Sequence, residues 1–221
     1  MMPRGTEPHN IELGLDTFGD VQVDEAGKPV PQPQVIRNVV EQAVLADQAG
    51  LHFFGVGEHH RDDFAIPAPD MVLAAIAGRT KQIHLGSAVT VLSSDDPVRV
   101  YERFATLDAL SNGRAEVIVG RGSFTESFPL FGYPLDRYEQ LFEEKLDLFA
   151  QLRAEGPVTW TGETRAPLHH QQGIWCRPID CLQWLAHRHR QLCPVPFFGR
   201  HFIDAGHAVG EPVVRATEAL V

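Results

Sequence analysis

The regular alternation of strand-like and helix-like segments is the feature that most constrains this chain. Apolar, strand-like segments cover residues 52–57, 83–92 and 114–120, and their starts lie 31 residues apart. A segment with apolar residues at helical spacing follows each of them, and a further strand–helix pair, with its strand at 11–18, precedes them. Strict alternation at this spacing predicts a parallel sheet with right-handed crossovers.

Residues that favour helix starts and ends mark the boundaries of two of these helices. Asp96 and Pro97 are the types preferred at an N-cap and at the first helical position, and Gly113 is placed to end that helix. Asp136 and Glu139 have the spacing of a capping box before the last clear helix. The sequence therefore predicts helices that begin at residues 97 and 137.

Two α/β architectures fit this order of elements, an open doubly wound sheet and a (β/α)8 TIM-type barrel. The first strand lacks the Gly-rich phosphate turn of a dinucleotide-binding open sheet. Polar residues collect at the carboxyl ends of the strands, where barrel enzymes have their active sites. Four clear βα units are readable in the 221 residues, and a full barrel typically takes about 250. The sequence thus predicts an incomplete (β/α)8 barrel followed by an irregular tail.

Charge and composition exclude several classes of function. The formal net charge of −10 would repel a phosphate backbone, so a nucleic-acid-binding role is not expected. No segment approaches the roughly 18 consecutive apolar residues of a membrane span. The first ten residues lack the apolar run of a signal peptide, which favours a cytoplasmic location. The three cysteines, an odd number, do not form a disulfide framework.

Polar residues that could carry chemistry follow the second strand. Glu58, His59 and His60 stand at its end, and histidine titrates near neutral pH, so proton transfer is one interpretation. Neighbouring residues on an extended chain point to opposite faces, which argues against a metal ion shared by the two histidines. The alternative is a polar strand end whose histidines are hydrogen-bonded within the protein.

Two further strand ends have the composition of a ligand site. Residues 86–90 carry small side chains that would let a flat ring approach the backbone, although a tightly packed barrel interior would have the same composition. Residues 120–123 combine glycines with Arg121, whose guanidinium can bind a phosphate through two hydrogen bonds. The alternative for Arg121 is an ion pair with an acid such as Glu126 or Asp136.

Five motifs, taken in order, resemble the luciferase-like flavin monooxygenase family. They are Gly57-Glu58-His59-His60, the stretch 85–92, the helix start 96–99, the run 107–114 and the turn Gly120-Arg121-Gly122. Each motif is weak alone, but their order and spacing together are specific. The resemblance covers about residues 11–167.

The resemblance implies a flavin-dependent oxidoreductase, a monooxygenase that uses reduced FMN and O2, with a deazaflavin as the alternative cofactor. It also implies a small-molecule substrate and a flavin reductase, or another supply of reduced flavin. By this resemblance His59 lies beside the reactive ring and Glu58 supports it, while Ala88 and Val89 lie along the ring, at a place where relatives have a non-proline cis peptide. Arg121 would contact the phosphate. The cofactor-binding residues implied in this way are Ser87, Ala88, Val89, Thr90, Arg121 and Gly122.

The apolar periodicity fades past Leu168, so residues 11–168 are interpreted as a partial barrel domain and 169–221 as a divergent or out-of-register tail. One hypothesis for the tail is a cap that packs on the barrel. Another is a frameshift relative to the ancestral gene, which is favoured because none of the later barrel strands is readable. The third is a zinc site, although the spacing of its candidate ligands matches no usual pattern. Those ligands are Cys176, Cys181, His187, His189 and Cys193.

Two other functions stay open at this point. One is a flavin-binding or inactive truncated barrel without turnover. The other is a metal-dependent barrel hydrolase that uses His59 with His84, which is disfavoured because the expected His-x-His pair is absent. An open barrel edge would also favour association into a homo-oligomer.

Overall fold

A computed structural model describes residues 12–154 and 156–171, together with the backbone of two short strands further along the chain. The strands in this part of the chain are β1 (Leu13–Thr17), β2 (Phe53–Val56), β3 (His84–Ser87), β4 (Thr90–Val91), β5 (Ala115–Gly120), β6 (Val158–Trp160), β7 (Leu168–Gln171), β8 (Cys181–Trp184) and β9 (His201–Asp204). The α-helices described are α1 (Gln32–Gln48), α2 (Pro69–Ala77), α3 (Pro97–Ser111), α4 (Ser127–Phe131) and α5 (Tyr138–Leu152), with 3-10 turns at Leu92–Ser94 and Leu135–Arg137.

Seven of these strands form one parallel sheet, as the alternating pattern predicts. Along the sheet the order is β9, β1, β2, β3 with β4, β5 and β8. The first four βα units are therefore neighbours in the order in which they occur in the chain. The predicted α/β class and incomplete barrel type are confirmed.

The two faces of the sheet carry different side chains because successive residues of a strand point to opposite sides. One face packs on the helices through residues that belong to the main hydrophobic core, among them Phe54, Val56, Leu85, Val117 and Val119. On the other face the Phe53 ring lies over Gly86, where an added Cβ would come within 2.7 Å of the ring. Glycine at this position leaves the room that the phenylalanine ring occupies.

The predicted strand over residues 83–92 is two strands in the structure, which corrects that prediction. β3 and β4 are separated at residues 88–89, whose peptide bond is cis, as the family resemblance implies. Both strands pair with β5, but the interruption removes backbone partners from Ile118. The Ser87 hydroxyl replaces them, because Oγ donates to the Ile118 carbonyl at 2.9 Å and accepts from the Ile118 amide at 3.2 Å.

Both predicted helices are present, but only one of the two predicted caps is confirmed. Asp96 caps α3, and its Oδ1 accepts from the amides of Val98 at 2.9 Å and Arg99 at 3.2 Å. Asp136 makes no such cap, because it lies inside the 3-10 turn and α5 begins at Tyr138. Glu139 bonds to Arg121 and does not close a capping box.

Strands also occur past Leu168, where no strand is readable in the sequence. The residue at the predicted domain boundary is the first of β7, which pairs antiparallel with β6. The backbones of β8 and β9 pair in parallel with β5 and β1, at the two ends of the four-unit sheet. An edge strand offers backbone hydrogen bonds to any extended segment, so this pairing needs no apolar periodicity.

The candidate zinc ligands of the tail lie outside the described residues, apart from the backbone of Cys181. The cap and the frameshift therefore stay as predictions.

Candidate functional site

The predicted site residues meet at one edge of the sheet. Residues 58–60 follow β2, residues 88–91 span the break into β4, and residues 120–122 end β5. We name this side, where these strands end, the carboxyl edge, and the opposite side the amino edge. Since β3 and β4 lie between β2 and β5, residues 88–91 occupy the middle of the site.

His59 is half-buried in a cluster of aromatic rings. Its imidazole stacks on Phe64 with ring centroids 4.1 Å apart, and the edges of Phe18 and Phe124 approach it at 5.1 Å. Burial lowers the pKa of His59 below its ordinary value, an effect that the nearby carboxylates, Glu58 first, oppose. The ring is therefore neutral at neutral pH, in the form that can accept a proton.

Glu58 contacts His60, whereas the resemblance implies support for His59. The Glu58 Oε1 atom lies 2.9 Å from Nε2 of His60, and its Oε2 atom accepts from the Val91 amide at 2.9 Å. Residues two apart on an extended chain share a face, and this brings residues 58 and 60 together. The edge of the Phe131 ring covers His60 at 5.0 Å between centroids.

Residues 87–91, which we name the central segment, present a short apolar surface in the middle of the site. Ala88 and Val89 are partly exposed, whereas Ser87 and Thr90 are buried. The Ser87 hydroxyl is engaged with Ile118, so it is not directed at a ligand. Thr90 Oγ1 has no hydrogen-bond partner within the described residues. Of the four predicted cofactor contacts in this segment, only Ala88 and Val89 are partly exposed at the carboxyl edge.

Arg121 lies on the far side of that surface from His59. Its Nη1 donates to Glu139 Oε1 at 2.6 Å, and its guanidinium carbon is 5.6 Å from the centroid of the Phe142 ring. The alternative of an ion pair is thus present, but with Glu139 and not with Glu126, which accepts from another arginine. The side chain of Glu139 is 64% exposed, so this ion pair is open to solvent.

Gly122 brings the turn after β5 close to β4. It has a φ of 82°, in the left-handed region, and an added Cβ would come within 2.8 Å of Val91 Cγ1. Its carbonyl accepts a hydrogen bond of 2.8 Å from the Tyr138 hydroxyl. Glycine at this position is explained by backbone geometry and packing.

A contact between two loops was not predicted from the sequence. Arg61 donates to Glu126 at 3.0 Å, and its guanidinium carbon lies 4.8 Å from the centroid of the Phe124 ring. The loop after β2 is thereby joined to the segment after β5, beside His59. The two residues are 65 positions apart, and no local pattern marks such a pair. Exposed apolar side chains also occur in this segment: Phe124, Leu130, Phe131 and Leu135.

A cleft of about 170 Å³ lies behind the central segment, between Glu58, Thr90, Asp70 and Arg103. Small-molecule sites usually enclose roughly 300–1,000 Å³, so this cleft is too small for a flavin.

The geometry of the described residues does not support the metal-hydrolase alternative. His84 starts β3 at the amino edge and pairs with Glu116 at 2.9 Å, whereas His59 is at the carboxyl edge. Among the residues that the structure describes, no group of three His, Cys, Asp or Glu side chains could hold a metal ion. Within the same residues, no helix has the length and apolar character needed to cross a membrane.

The fold and the site define an α/β chain of the barrel type whose candidate site residues lie at the carboxyl edge. The family model for luciferase-like monooxygenases matches residues 17–182. The chain belongs to the luciferase-like monooxygenase family, which confirms the resemblance. The match extends past residue 167, the end of the stretch over which the sequence resembles the family.

Similar proteins of known sequence cover part of the chain. An uncharacterised protein, y4vJ, of Sinorhizobium fredii is 39% identical over 115 residues, which are 52% of this chain and 33% of that protein. The oxygenase component of the flavin-dependent trigonelline monooxygenase of Acinetobacter baylyi is 30% identical over 106 residues, which are 48% of this chain and 29% of that protein. The chain thus spans about a third of the length of these relatives.

Solved structures extend the likeness of the fold. The monooxygenase RslO1 from Streptomyces bottropensis matches with a TM-score of 0.67 and 26% identity, over 79% of this chain and 53% of that one. The oxygenating constituent of 3,6-diketocamphane monooxygenase from Pseudomonas putida, solved with FMN, has a TM-score of 0.66 at 19% identity, over 78% of this chain and 49% of that one. The second likeness shows the fold alone.

Proposed function

We propose that the carboxyl edge binds reduced FMN and that the chain provides the oxygenating site of a flavin-dependent monooxygenase acting with O2 on a small-molecule substrate. One observation carries this proposal. Three neighbouring strand ends place a half-buried imidazole, an apolar surface and a guanidinium in a row, namely His59, Ala88 with Val89, and Arg121. A flat ring could lie on the apolar surface beside the imidazole, and its anionic tail could reach the guanidinium.

The residues present fit this cofactor. Ala88 and Val89, which are partly exposed, offer apolar contact to a ring. Arg121 already binds a carboxylate, and a phosphate can take the place of Glu139 because exposed ion pairs contribute only about 0–1 kcal/mol. A guanidinium binds phosphate through charge-assisted, often bidentate hydrogen bonds.

When bound, the flavin supplies the redox chemistry and the reaction with oxygen. The protein supplies position and proton handling. His59, neutral because of its burial, is placed to accept or return a proton at the ring. Phe18, Phe64 and Phe124 hold the imidazole in place and reduce its contact with water.

The choice of cofactor and partner rests on the comparisons. One relative is named as an oxygenase component, which supports a separate reductase as the source of reduced flavin. One structural neighbour is an F420-dependent alcohol dehydrogenase, so a deazaflavin is the alternative cofactor. We include a cytoplasmic location in this proposal. Bound FMN without any oxygen-dependent turnover would favour the alternative, a flavin-binding chain without activity.

Arg121→Ala tests the phosphate contact. Fluorescence titration is expected to show a dissociation constant for FMN that rises roughly tenfold to a hundredfold, the loss of a charge-assisted hydrogen bond. The affinity for riboflavin, which lacks the phosphate, stays unchanged. Arg79→Ala is the matched control, since Arg79 also pairs with a glutamate, Glu41, but between α1 and the turn that follows α2. Equal affinities of wild type and Arg121→Ala for FMN would contradict the assignment.

A further inference from the structure

The segment that carries Ala88 and Val89 is held by side chains on both of its sides. Toward β5, the Ser87 hydroxyl bonds both backbone groups of Ile118. Toward β2, the Val91 amide donates to Glu58 at 2.9 Å. Neither contact is a regular sheet hydrogen bond, because each involves a side-chain oxygen. The register of β3 with β5 ends at the pair Gly86 and Glu116, and that of β2 with β3 ends at Val56 and Ser87.

The Glu58 contact takes the place of a missing backbone acceptor. β4 pairs with β5 alone among the strands of the sheet. Without the carboxylate, the Val91 amide would lie at a buried position with no acceptor from β2, and an unsatisfied buried donor is costly. Glu58 therefore links the end of β2 to β4 by a hydrogen bond, past the point where the backbone pairing of β2 with β3 ends.

His60 fixes the direction of this carboxylate. Its Nε2 atom lies 2.9 Å from Glu58 Oε1, and the side chains of the pair are only 8% and 9% exposed. Phe131 closes over the imidazole from the segment after β5. The carboxylate is thus held between a ring and a backbone amide, with little freedom to rotate.

We propose that Glu58 is a positioning residue: it fixes the position and orientation of residues 88–91 so that Ala88 and Val89 contact a flavin ring. His60 orients the Glu58 carboxylate for this role. The consequence for the flavin rests on the function proposed above. The anchoring of Val91 does not. Glu58 acts on the apolar surface of the site through the Val91 amide, and His59 is its neighbour in the chain.

Glu58→Ala and Glu58→Gln separate the two parts of this proposal. Hydrogen exchange of the Val91 amide, followed by NMR without flavin, is expected to accelerate at least about tenfold in Glu58→Ala, since a bond to a charged acceptor is lost. Glu58→Gln keeps an accepting oxygen for Val91 and an amide donor for His60, so its exchange stays within about threefold of wild type. The dissociation constant for FMN rises about tenfold in Glu58→Ala and little in Glu58→Gln.

Glu144→Ala is the matched control. Its carboxylate accepts from the backbone amides of Glu163 and Thr164, which is the same chemistry between α5 and the segment after β6. Exchange at Val91 and FMN affinity stay at wild-type values in that variant. Retained protection of the Leu85 and Val117 amides shows that each variant is folded.

An unchanged Val91 exchange rate in Glu58→Ala would overturn the proposal, and so would equal damage from the Ala and Gln variants. If wild type failed to bind FMN while Val91 behaved as expected, the proposed function would be wrong and the anchoring role of Glu58 would stand.

Discussion

Two arginines flank β5, one at each end, and their surroundings differ. Arg114 precedes the strand at the amino edge and is 8% exposed. Its guanidinium donates to the carbonyls of Ser111, Ile83, Ala77 and Thr80 and to the Thr80 hydroxyl, at 2.7–3.2 Å. Arg121 follows the strand at the carboxyl edge, has a side chain that is 23% exposed, and pairs with the exposed carboxylate of Glu139. The same side chain is thus surrounded by backbone oxygens at one edge and opens to solvent at the other.

The difference separates structure from function within one strand. Arg114 binds carbonyls at the end of α2, which a helix leaves without partners of its own, so it joins that helix to the sheet. The two histidines follow the same division, because His84 at the amino edge pairs with Glu116, whereas His59 at the carboxyl edge is enclosed by aromatic rings. In barrels, the amino edge generally supports stability and the carboxyl edge carries ligands.

The largest expected effect tests this division with the histidines. His59→Ala is expected to lower turnover roughly 10²–10⁴-fold while FMN still binds, since a proton-transferring group is removed from the site. His84→Ala, the matched control at the amino edge, leaves turnover within a few-fold of wild type. The measurement is flavin-dependent O2 uptake with the substrate that the wild type accepts. Similar losses in the two variants would show that the edges do not differ in this way.

Local patterns in the sequence predict the elements and the edge, since these depend on residues close together in the chain. Asp96 followed by Pro97 predicts the start of α3, and alternation at 31-residue spacing predicts the parallel order of the strands. The partners of the functional side chains depend on distant segments. No local pattern indicates that Glu58 bonds to the Val91 amide, or that Arg121 meets Glu139 and not Asp136.

Arg114 shows the same limit from the structural side. In the sequence it is only the last residue of a motif that resembles the family, with nothing to mark it as buried. Its acceptors lie 31–37 positions away, apart from Ser111. The acceptors of this buried arginine come from the end of α2, the residue before β3 and the end of α3, which meet only in the folded chain.

The second prediction concerns Arg114 itself. Arg114→Met is expected to lower the free energy of unfolding by about 3 kcal/mol, because several buried carbonyls lose their donor. Arg121→Met, its counterpart at the carboxyl edge, is expected to cost less than about 1 kcal/mol, as for an exposed ion pair. Urea unfolding of both variants measures the difference. A comparable loss of stability in the two would remove the contrast between the edges.

Lys145 is a buried cation near the carboxyl edge, so it distinguishes the effect of burial from the effect of the edge. It lies on α5 and donates to the Ser93 carbonyl at 2.7 Å, in the turn that follows β4, so it is near the carboxyl edge. It is nevertheless buried like Arg114, and its ammonium nitrogen sits 3.6 Å from the centroid of the Tyr133 ring. Burial lowers the pKa of Lys145 from 10.5 to about 8, against the opposing effect of Asp95 and Asp96.

The smallest expected effect follows from that pKa. Between about pH 8 and 10.5 the unfolded chain holds a proton on Lys145 that the folded chain has released, so this group makes stability rise with pH. From pH 7 to pH 9 its contribution to the free energy of unfolding is expected to increase by about 1 kcal/mol. Urea unfolding at pH 7, 8 and 9 measures this rise in wild type, and Lys145→Met, which carries no charge, removes it. The difference between the two proteins isolates Lys145 from the other groups that titrate in this range. Parallel pH profiles would mean that Lys145 keeps its ordinary pKa in the folded chain, and that buried cations near the carboxyl edge are not destabilised by their burial.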